Sequence, residues 1–230
     1  MQSRHHIRIG LGALAAAALL ALAGAVALAS VTVYSVSFSK ATQVKQMKKA
    51  GGGKKCKRSF VRKGKRRMRV AVARGPAHCR LRPPVQGDGP VSNHTFQVAG
   101  RIAKSGPKAA RRSAYLSLRS RVGEGTGYTL RVFPRRGRFE LRRSPGGAEF
   151  PVSGRDDAIK GLGGMNRLRL TTDGAEIRAF VNGTRVAAVT DSNPGAVTGT
   201  MLQFGVGHEA KTSKAVSAAF RMLRVAVPNP

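Results

Sequence analysis

Tryptophan is absent from the sequence, and acidic residues are few. Aromatic residues make up 5% of the 230 residues, and 10 Asp or Glu stand against 42 Lys or Arg. Sites that bind sugar rings often stack them on Trp or Tyr, and a calcium site needs several negative oxygens in one place. The composition therefore gives little support to either kind of site. The formal charge of +32 indicates anionic partners instead.

Carboxylates are missing altogether from the first 87 residues. That stretch contains 19 Lys or Arg, and the first acidic residue is Asp88. The remaining 23 Lys or Arg share the rest of the chain with all 10 acidic residues, so this region also has a large excess of positive charge. A basic N-terminal stretch and a basic domain are thus both available for contacts with a polyanion.

Residues 9–29 form a run without charged or strongly polar side chains, and a short basic segment precedes them. The small residues of Ala27-Leu28-Ala29 suit a signal peptidase and favour cleavage of an export signal. The run is also long enough to cross a bilayer, which needs about 20 apolar residues. We therefore assign residues 1–29 to a signal peptide or a signal anchor, and we expect an extracellular or cell-surface protein.

Residues 30–87 are predicted to form a basic linker or small module ahead of the main domain. Its two cysteines, Cys56 and Cys79, are expected to form a disulfide, because an exported chain meets an oxidising environment. The alternative is a pair of unrelated free thiols. A zinc site is not expected, since His78 is the only nearby imidazole and no four-ligand spacing exists. Residues 67–73 alternate basic and apolar side chains and predict a short strand.

From residue 91 onward, short alternating segments are separated by Gly, Pro, Asn and Asp, which is typical of an all-β domain. Asp173-Gly174 and Asn182-Gly183 are typical of two-residue hairpin turns, which need positive φ angles. We predict an antiparallel two-sheet jelly-roll sandwich, with its domain at 88–230, preceded by an N-terminal hydrophobic helix and a basic linker. No helix is expected beyond Gly51. The predicted strands are 94–103, 114–121, 127–133, 137–143, 148–153, 166–172, 175–181, 184–190, 199–207 and 215–227.

One face of these strands is apolar and the alternate face is basic. The apolar positions, expected in the core, are Leu116, Leu118, Tyr128, Leu130, Val132, Phe139, Leu141, Leu168, Leu170, Ile177, Ala179 and Val181. The candidate polyanion-binding residues at the alternate positions are Arg119, Arg131, Arg138, Arg142, Arg167 and Arg169. Five of them, Arg119, Arg131, Arg142, Arg167 and Arg169, are predicted to lie exposed on a cationic sheet face rather than buried in ion pairs, because 10 acids cannot neutralise 23 bases.

Several segments follow one another in a characteristic order. They are residues 127–132, 137–143, 164–170, 173–174, 179–187, 205–207 and 219–225. In this order they resemble the concanavalin A-like lectin/glucanase superfamily, and particularly its laminin-G-like jelly-roll domains, over about residues 88–228. The resemblance implies the fold, and it implies a non-catalytic module only weakly, because this fold hosts lectins, hydrolases and structural modules.

Catalytic residues are not recognisable in the sequence. Glycoside hydrolysis needs two facing carboxylates, and the Glu-x-Asp-x-x-Glu motif that glucanases of the superfamily carry is absent. Neither His94 nor His208 has a nucleophile-elbow sequence nearby. The candidate calcium ligands are Asp156, Asp157, Asp191 and Asn193. They are separated in sequence and outnumbered by Arg, so we predict no metal, no cofactor and no enzymatic activity.

These observations favour an exported or membrane-tethered, non-enzymatic binding or adhesion module. Its expected partner is an anionic polysaccharide or cell-envelope polymer, and residues 9–29 would contact the membrane if uncleaved. Two alternatives stay open. One is a glycoside hydrolase-like enzyme of the same fold, which two carboxylates about 5 to 10 Å apart in a groove would favour. The other is a nucleic-acid binder, which would bind non-specifically through its charge.

Overall fold

The computed structural model describes residues 30–52, 56–62, 67–72, 77–85, 93–123, 125–144, 152–210 and 215–228. These residues form an antiparallel two-sheet β-sandwich of jelly-roll type. Its strands are β1 (Ser30–Val36), β2 (Lys48–Gly51), β3 (Cys56–Val61), β4 (Arg67–Val72), β5 (Ala77–Arg82), β6 (His94–Ile102), β7 (Ala114–Val122), β8 (Gly127–Phe133), β9 (Arg138–Ser144), β10 (Val152–Arg155), β11 (Asn166–Asp173), β12 (Glu176–Val181), β13 (Thr184–Thr190), β14 (Met201–His208) and β15 (Val216–Pro228). The two short helices are α1 (Ala41–Gln46) and α2 (Lys108–Arg112).

The strands divide into two sheets whose inner faces share one core. Sheet A has the order β13-β12-β11-β6-β15-β4-β3, and β1 pairs with the C-terminal half of β15 beside β4. Sheet B has the order β10-β9-β8-β7-β14-β5-β2. Every predicted core residue is buried between the sheets. The predicted all-β sandwich is therefore confirmed.

All ten strands predicted beyond residue 91 are present. Strands β8 and β13 have the predicted bounds. The strands that differ from the predicted bounds by at most two residues at either end are β6, β7, β9, β11, β12, β14 and β15. The strand predicted at 67–73 is β4, which ends one residue earlier. The strand predicted at 148–153 corresponds to β10, which begins at Val152, since residues 145–151 lie outside the described part. The alternation of side chains thus located the strands well, because each strand has one dry face and one wet face.

Both predicted hairpins form, but one turn is shifted by a residue. Asn182 and Gly183 occupy the turn between β12 and β13 with φ angles of 53° and 98°. Between β11 and β12, Asp173 pairs with Glu176, so the turn residues are Gly174 and Ala175. Gly174 has a φ of 56°, and a glycine in the first turn position is the second common way to close a two-residue hairpin.

The prediction of a linker or separate module at 30–87 is wrong for the described part of this stretch. Strands β1, β3 and β4 belong to sheet A, and β2 and β5 belong to sheet B. The sequence gives little sign of these strands, because Lys and Arg occupy their outward positions and the apolar residues at their inward positions are few and scattered. Phe38, Met47, Met68 and Leu81 are fully buried in the common core. The basic strands thus complete both sheets.

Of the two predictions about helices, one is wrong and the other concerns residues that the structure does not describe. Helix α2, five residues long, lies after Gly51, so the prediction of no helix beyond that residue is wrong. A short helical turn is compatible with the sandwich because it only connects β6 to β7. Within the described residues, none of the helices has the length and hydropathy needed to span a membrane. The predicted leader at 1–29 lies outside the described residues.

A disulfide joins Cys56 to Cys79, as predicted. Cys56 is on β3 in sheet A and Cys79 is on β5 in sheet B, so the bond links the two sheets covalently. Both residues are fully buried. The loop it closes spans 23 residues, for which the chain-entropy argument gives roughly 3 kcal/mol of stabilisation.

Candidate functional site

The outer face of sheet B carries a group of half-buried cations, Arg80, Arg119 and Arg131. Inward positions on β7 and β8 are apolar, so the alternate positions point away from the core. The same alternation on β5 and β14 turns Cys79, Leu81, Phe204 and Val206 inward. The polar and aromatic residues on the outer face of these four strands include His78, Arg80, Tyr115, Ser117, Arg119, Arg131 and Gln203.

The strand register aligns a row of residues across this face. Arg80 on β5 pairs with Gly205, Gly205 pairs with Ser117, and Ser117 pairs with Arg131 on β8. Three strand spacings separate the two arginines, a distance of roughly 14 Å. Because Gly205 and Ser117 are small, the row has a low centre between two long cationic side chains. We call Arg80, Ser117, Arg119, Arg131 and Gly205 the arginine trough.

The floor of the trough depends on the absence of a side chain at Gly205. A Cβ atom there would lie 2.0 Å from the backbone oxygen of Cys79. Ser117 is buried, and its hydroxyl has no hydrogen-bond partner in the described part of the chain. A buried hydroxyl without a partner costs free energy unless a water or a ligand satisfies it.

Tyr115 supports the trough from the side rather than offering a stacking surface. The guanidinium of Arg131 lies 4.8 Å from the Tyr115 ring centroid, and the Phe133 ring lies 5.4 Å away at a tilt of 54°. A Cβ at Gly207 would lie 2.4 Å from the Tyr115 ring, so glycine is needed to make room for it. The tyrosine is 6% exposed. Its ring therefore orients Arg131 through a cation–π contact.

Arg119 lies next to the central row and is fixed by two neighbours. Its Nε donates to Thr129 Oγ1 at 3.0 Å, and its Nη1 donates to Gln203 Oε1 at 3.2 Å. The pKa of Arg119 is lowered to about 10, first by burial and then by the positive charges of Arg80 and Arg131, while Tyr115 opposes the shift. The guanidinium still carries its charge at neutral pH. It is held rigidly in a place where other cations repel it.

His78, on β5 two residues before Arg80, experiences the same field. Its pKa is lowered to about 4, first by burial and then by Arg80, Arg119 and Arg131. Burial also lowers the pKa of Arg80. A histidine with such a pKa is neutral at physiological pH. The trough therefore combines three guanidinium cations with a neutral imidazole.

One acid, Glu140, lies at the β9 side of the trough. It is 2% exposed, and it forms salt bridges to Arg138, to Arg142 at 2.9 Å and to Arg131 at 3.9 Å. The prediction of exposed arginines rather than buried ion pairs is therefore wrong for the half-buried Arg131, whereas Arg142 is exposed as predicted, although it also pairs with Glu140. A single carboxylate on an outward position of β9 is enough to attract three neighbouring guanidinium groups.

The six predicted arginines do not share one face. Four of them lie on the outer face of sheet B: Arg119, Arg131, Arg138 and Arg142. Arg167 and Arg169 are on β11, which belongs to sheet A and faces the other side of the sandwich. Arg167 is exposed, whereas the guanidinium of Arg169 stacks over the Phe180 ring at 3.7 Å from its centroid. Equal alternation on successive strands misled the prediction, because the chain changes sheets between β10 and β11.

The sequence prediction missed His78 and Arg80, which define one side of the trough. Both lie in the stretch that was interpreted as a linker. The signal that could have identified them is the alternation of His78, Arg80 and Arg82 with Cys79 and Leu81, which is the pattern of a strand with one buried face. A strand of this kind can join a sheet only through partners distant in the sequence, here β14.

Other candidate catalytic and metal-binding residues serve the core or turns. His94 is 1% exposed, and its ring nitrogens contact Ser120 Oγ at 2.6 Å and Thr172 Oγ1 at 3.0 Å. Asp191 is 1% exposed and accepts hydrogen bonds from Tyr128 at 2.6 Å and Arg143 at 2.5 Å. Within the described ranges, no three His, Cys, Asp or Glu side chains are grouped as a metal site would require.

The Asp156 carboxylate caps a turn by accepting a hydrogen bond from the backbone N–H of Ala158 at 2.8 Å.

Glu209 is the second acid near the trough, because it lies 3.7 Å from Nη1 of Arg131. Since Glu140 lies 3.9 Å from the same nitrogen, the two carboxylates are at most about 8 Å apart, within the range of acid pairs in glycosidases. This arrangement keeps the enzymatic alternative open.

No protein family model matches the chain, and no curated protein matches it. Solved structures do. A protein of unknown function with a galectin-like fold from Bacillus subtilis is 14% identical, with a TM-score of 0.60, and the match covers 86% of this chain and 97% of that one. The carbohydrate-binding module CBM66 from Bacillus subtilis is also 14% identical, with a TM-score of 0.51 and coverages of 76% and 92%.

A β-glucanase from Bacillus licheniformis is 12% identical, with a TM-score of 0.56, and the match covers 84% of this chain and 96% of the glucanase. Identities this low show the fold alone. The expected jelly-roll sandwich fold is confirmed, while membership of the concanavalin A-like superfamily and the laminin-G-like, non-catalytic assignment stay predictions. The chain has a β-sandwich fold that occurs in carbohydrate-binding modules and in glycoside hydrolases, and the fold itself does not distinguish binding from catalysis.

Proposed function

We propose that this protein is an exported or membrane-tethered, non-enzymatic module that holds an anionic polysaccharide in the arginine trough. The observation that carries the proposal is the grouping of Arg80, Arg119 and Arg131 around the small residues Gly205 and Ser117. Neither Arg80 nor Arg119 forms a salt bridge with a carboxylate of the described residues. The disulfide and the likeness to a carbohydrate-binding module are consistent with an extracellular location.

The electrostatics of the trough favour an anionic ligand. Half-buried cations that repel one another raise the free energy of the empty site, as the lowered pKa values of Arg80 and Arg119 indicate. A carboxylate placed among these guanidinium groups removes that repulsion and accepts charge-assisted, bidentate hydrogen bonds. The neutral, half-buried His78 supplies an uncharged group that can meet a sugar hydroxyl. The trough thus suits a polymer of acidic sugars.

Affinity electrophoresis tests this proposal. The purified chain should be retarded in gels that contain polygalacturonate and should migrate freely in gels that contain neutral dextran. The variant R80Q/R119Q/R131Q should lose most of this retardation. Its control is R112Q/R136Q/R185Q, which removes the same charge at exposed positions away from the trough and should behave like the parent. Equal loss in both variants would show that the overall charge, rather than the trough, binds the polymer.

An enzymatic function is the second candidate, because Glu140 and Glu209 flank Arg131. Against it, Glu140 is clamped by three guanidinium groups and is almost fully buried, so that it is poorly placed to reach a glycosidic oxygen. Release of reducing sugar from polygalacturonate or β-glucan distinguishes the two functions. Turnover by the parent that E140Q or E209Q abolishes would replace binding with hydrolysis. We expect no turnover.

A further inference from the structure

A pocket of about 640 Å³ lies on the outer face of sheet A, on the opposite side of the sandwich from the arginine trough. Strands β4, β6 and β15 form its floor. Four of the residues that line it are basic: Arg67, Arg69, Arg101 and Lys104. Two others, Ser105 and Ser217, carry hydroxyl groups. We call this the sheet A pocket.

The strand register places two arginines on either side of a small residue. Ala219 on β15 pairs with Arg69 on β4 along one edge and with Arg101 on β6 along the other. Two strand spacings, roughly 10 Å, separate the arginine backbones, and both long side chains are on the outer face. The methyl group of Ala219 leaves the space between them open. A single anion above Ala219 is therefore within reach of both guanidinium groups.

Lys104 closes one end of the pocket from the segment that follows β6. The backbone N–H of Gly163 donates to the Ile102 oxygen at 2.9 Å, which holds the 161–164 turn against this segment. Gly163 has a φ of 82°, and a Cβ there would lie 2.7 Å from Lys104 Cε, so the Lys104 stem packs directly on the glycine. The Lys104 carbonyl accepts a hydrogen bond from Arg111 at 2.8 Å. The packing on Gly163 and the hydrogen bond from Arg111 therefore fix the position of Lys104.

Acidic side chains are absent from the described lining of the pocket. Arg69, Arg101 and Lys104 form no salt bridge with a carboxylate of the described residues. Arg69, Arg101 and Lys104 thus concentrate positive charge in the pocket, which attracts an anion that carries more than one charge. From this geometry we propose that the sheet A pocket binds the phosphate group of a phosphorylated sugar, either free or as part of a polymer.

Charge and volume together favour a phosphate ester over a carboxylate. A phosphate monoester carries a charge of about −1.5 to −2 at neutral pH and three strong acceptor oxygens, whereas a carboxylate carries one charge and two oxygens. Two arginine forks, a lysine and two serine hydroxyls match the larger acceptor set. A cavity of about 640 Å³ is in the range of pockets for whole small molecules. It therefore has room for the sugar attached to the phosphate.

Titration calorimetry with glucose 6-phosphate tests the pocket. The parent should bind this probe more tightly than glucuronate, which has the same ring size and one carboxylate. The variant R69Q/R101Q should weaken binding at least about tenfold, a change of roughly 1.4 kcal/mol. Two controls of equal charge, R80Q/R119Q in the trough and R136Q/R185Q on the surface, should bind glucose 6-phosphate like the parent. Equal weakening in all three variants would overturn the proposal.

A second variant separates shape from charge. Ala219→Leu leaves the charge unchanged and fills the space between the two arginines, so it should also weaken glucose 6-phosphate binding about tenfold or more. Parent-like binding by Ala219→Leu would overturn the assignment to this pocket.

A competition experiment distinguishes the two sources of the phosphate. If phosphomannan competes more strongly per phosphate than glucose 6-phosphate, the ligand is a phosphate carried by a polymer. If it competes more weakly, the ligand is a free sugar phosphate. Because the trough variants retain this binding, failure here is separate from failure of the proposed function.

Discussion

His78 provides a direct test of the electrostatics of the trough. Its pKa is about 4 in the folded chain, because of burial and then of Arg80, Arg119 and Arg131, and about 6.5 in an unfolded chain. Arg80 follows two residues later on the same strand face, roughly 7 Å away. At an effective dielectric constant of 40 to 80, a unit charge at this distance contributes roughly 0.6 to 1.2 kcal/mol. Arg80→Gln should therefore raise the pKa of His78 by about 0.4 to 0.9.

The same shift makes the stability of the fold depend on pH. Between about pH 6.5 and pH 4 the unfolded chain takes up a proton at His78 and the folded chain does not, so stability falls as the pH decreases through this window and levels off below it. The full difference in pKa would correspond to about 3 kcal/mol. Since His78 is only half buried, solvent screening reduces our expectation to about 1 to 2 kcal/mol.

Histidine ring signals in proton–carbon NMR spectra, titrated from pH 3 to 8, measure this pKa. The variant His78→Gln assigns the signal, and Arg185→Gln on sheet A is the matched control, for which no change is expected. Urea unfolding of the parent and of His78→Gln at pH 4.5 and 7.5 measures the associated stability. A His78 signal that titrates near 6.5, or one that Arg80→Gln leaves in place, would refute the description of the trough as a cluster of cations.

Three further predictions follow from the buried contacts. Asp191→Asn should destabilise the fold by about 3 to 5 kcal/mol in chemical denaturation, because it removes the buried carboxylate that pairs with Arg143 and accepts a hydrogen bond from Tyr128; a loss below about 1 kcal/mol would contradict this. Reduction of the bond between Cys56 and Cys79 should lower the stability by about 2 to 5 kcal/mol, and an unchanged melting temperature after reduction would mean that the bond does not link the sheets in solution. Tyr115→Leu should weaken polygalacturonate binding several-fold by removing the cation–π support of Arg131, with little loss if the ring plays no part in orienting that side chain.

Much of the fold could be predicted because its signals are local. The strands between residues 91 and 228 alternate apolar and polar side chains with a period of two, and turn residues such as Asn182-Gly183 separate them. Each strand therefore carries its own evidence. By contrast, β1 and β5 are recognised as parts of the sandwich only through distant partners, β15 and β14. The sequence of such a basic strand alone does not indicate which other strand it pairs with.

The cationic character of the site could be predicted from the sequence, but its location on the outer face of sheet B could not. Arginines at outward positions indicated a cationic surface, and four of the six named arginines lie on the outer face of sheet B. Which strands share a sheet is a property of topology, so nothing in the alternation could separate Arg131 from Arg169. The convergence of Arg131, Arg138 and Arg142 on Glu140 likewise depends on the pairing of β8 with β9. The trough itself exists because β5 and β8 flank β14 and β7.

The central claim, that the arginine trough holds an anionic polysaccharide, is tested most directly by mapping the contact surface. Backbone amide signals of the labelled chain can be followed by NMR during a titration with trigalacturonate. We predict the largest shifts at Ser117 and Arg119 on β7, Gly205 on β14 and Arg80 on β5, and small shifts at Arg69 on the other sheet. Shifts confined to sheet A or to the basic stretch before residue 52, with the trough signals unmoved, would contradict the account.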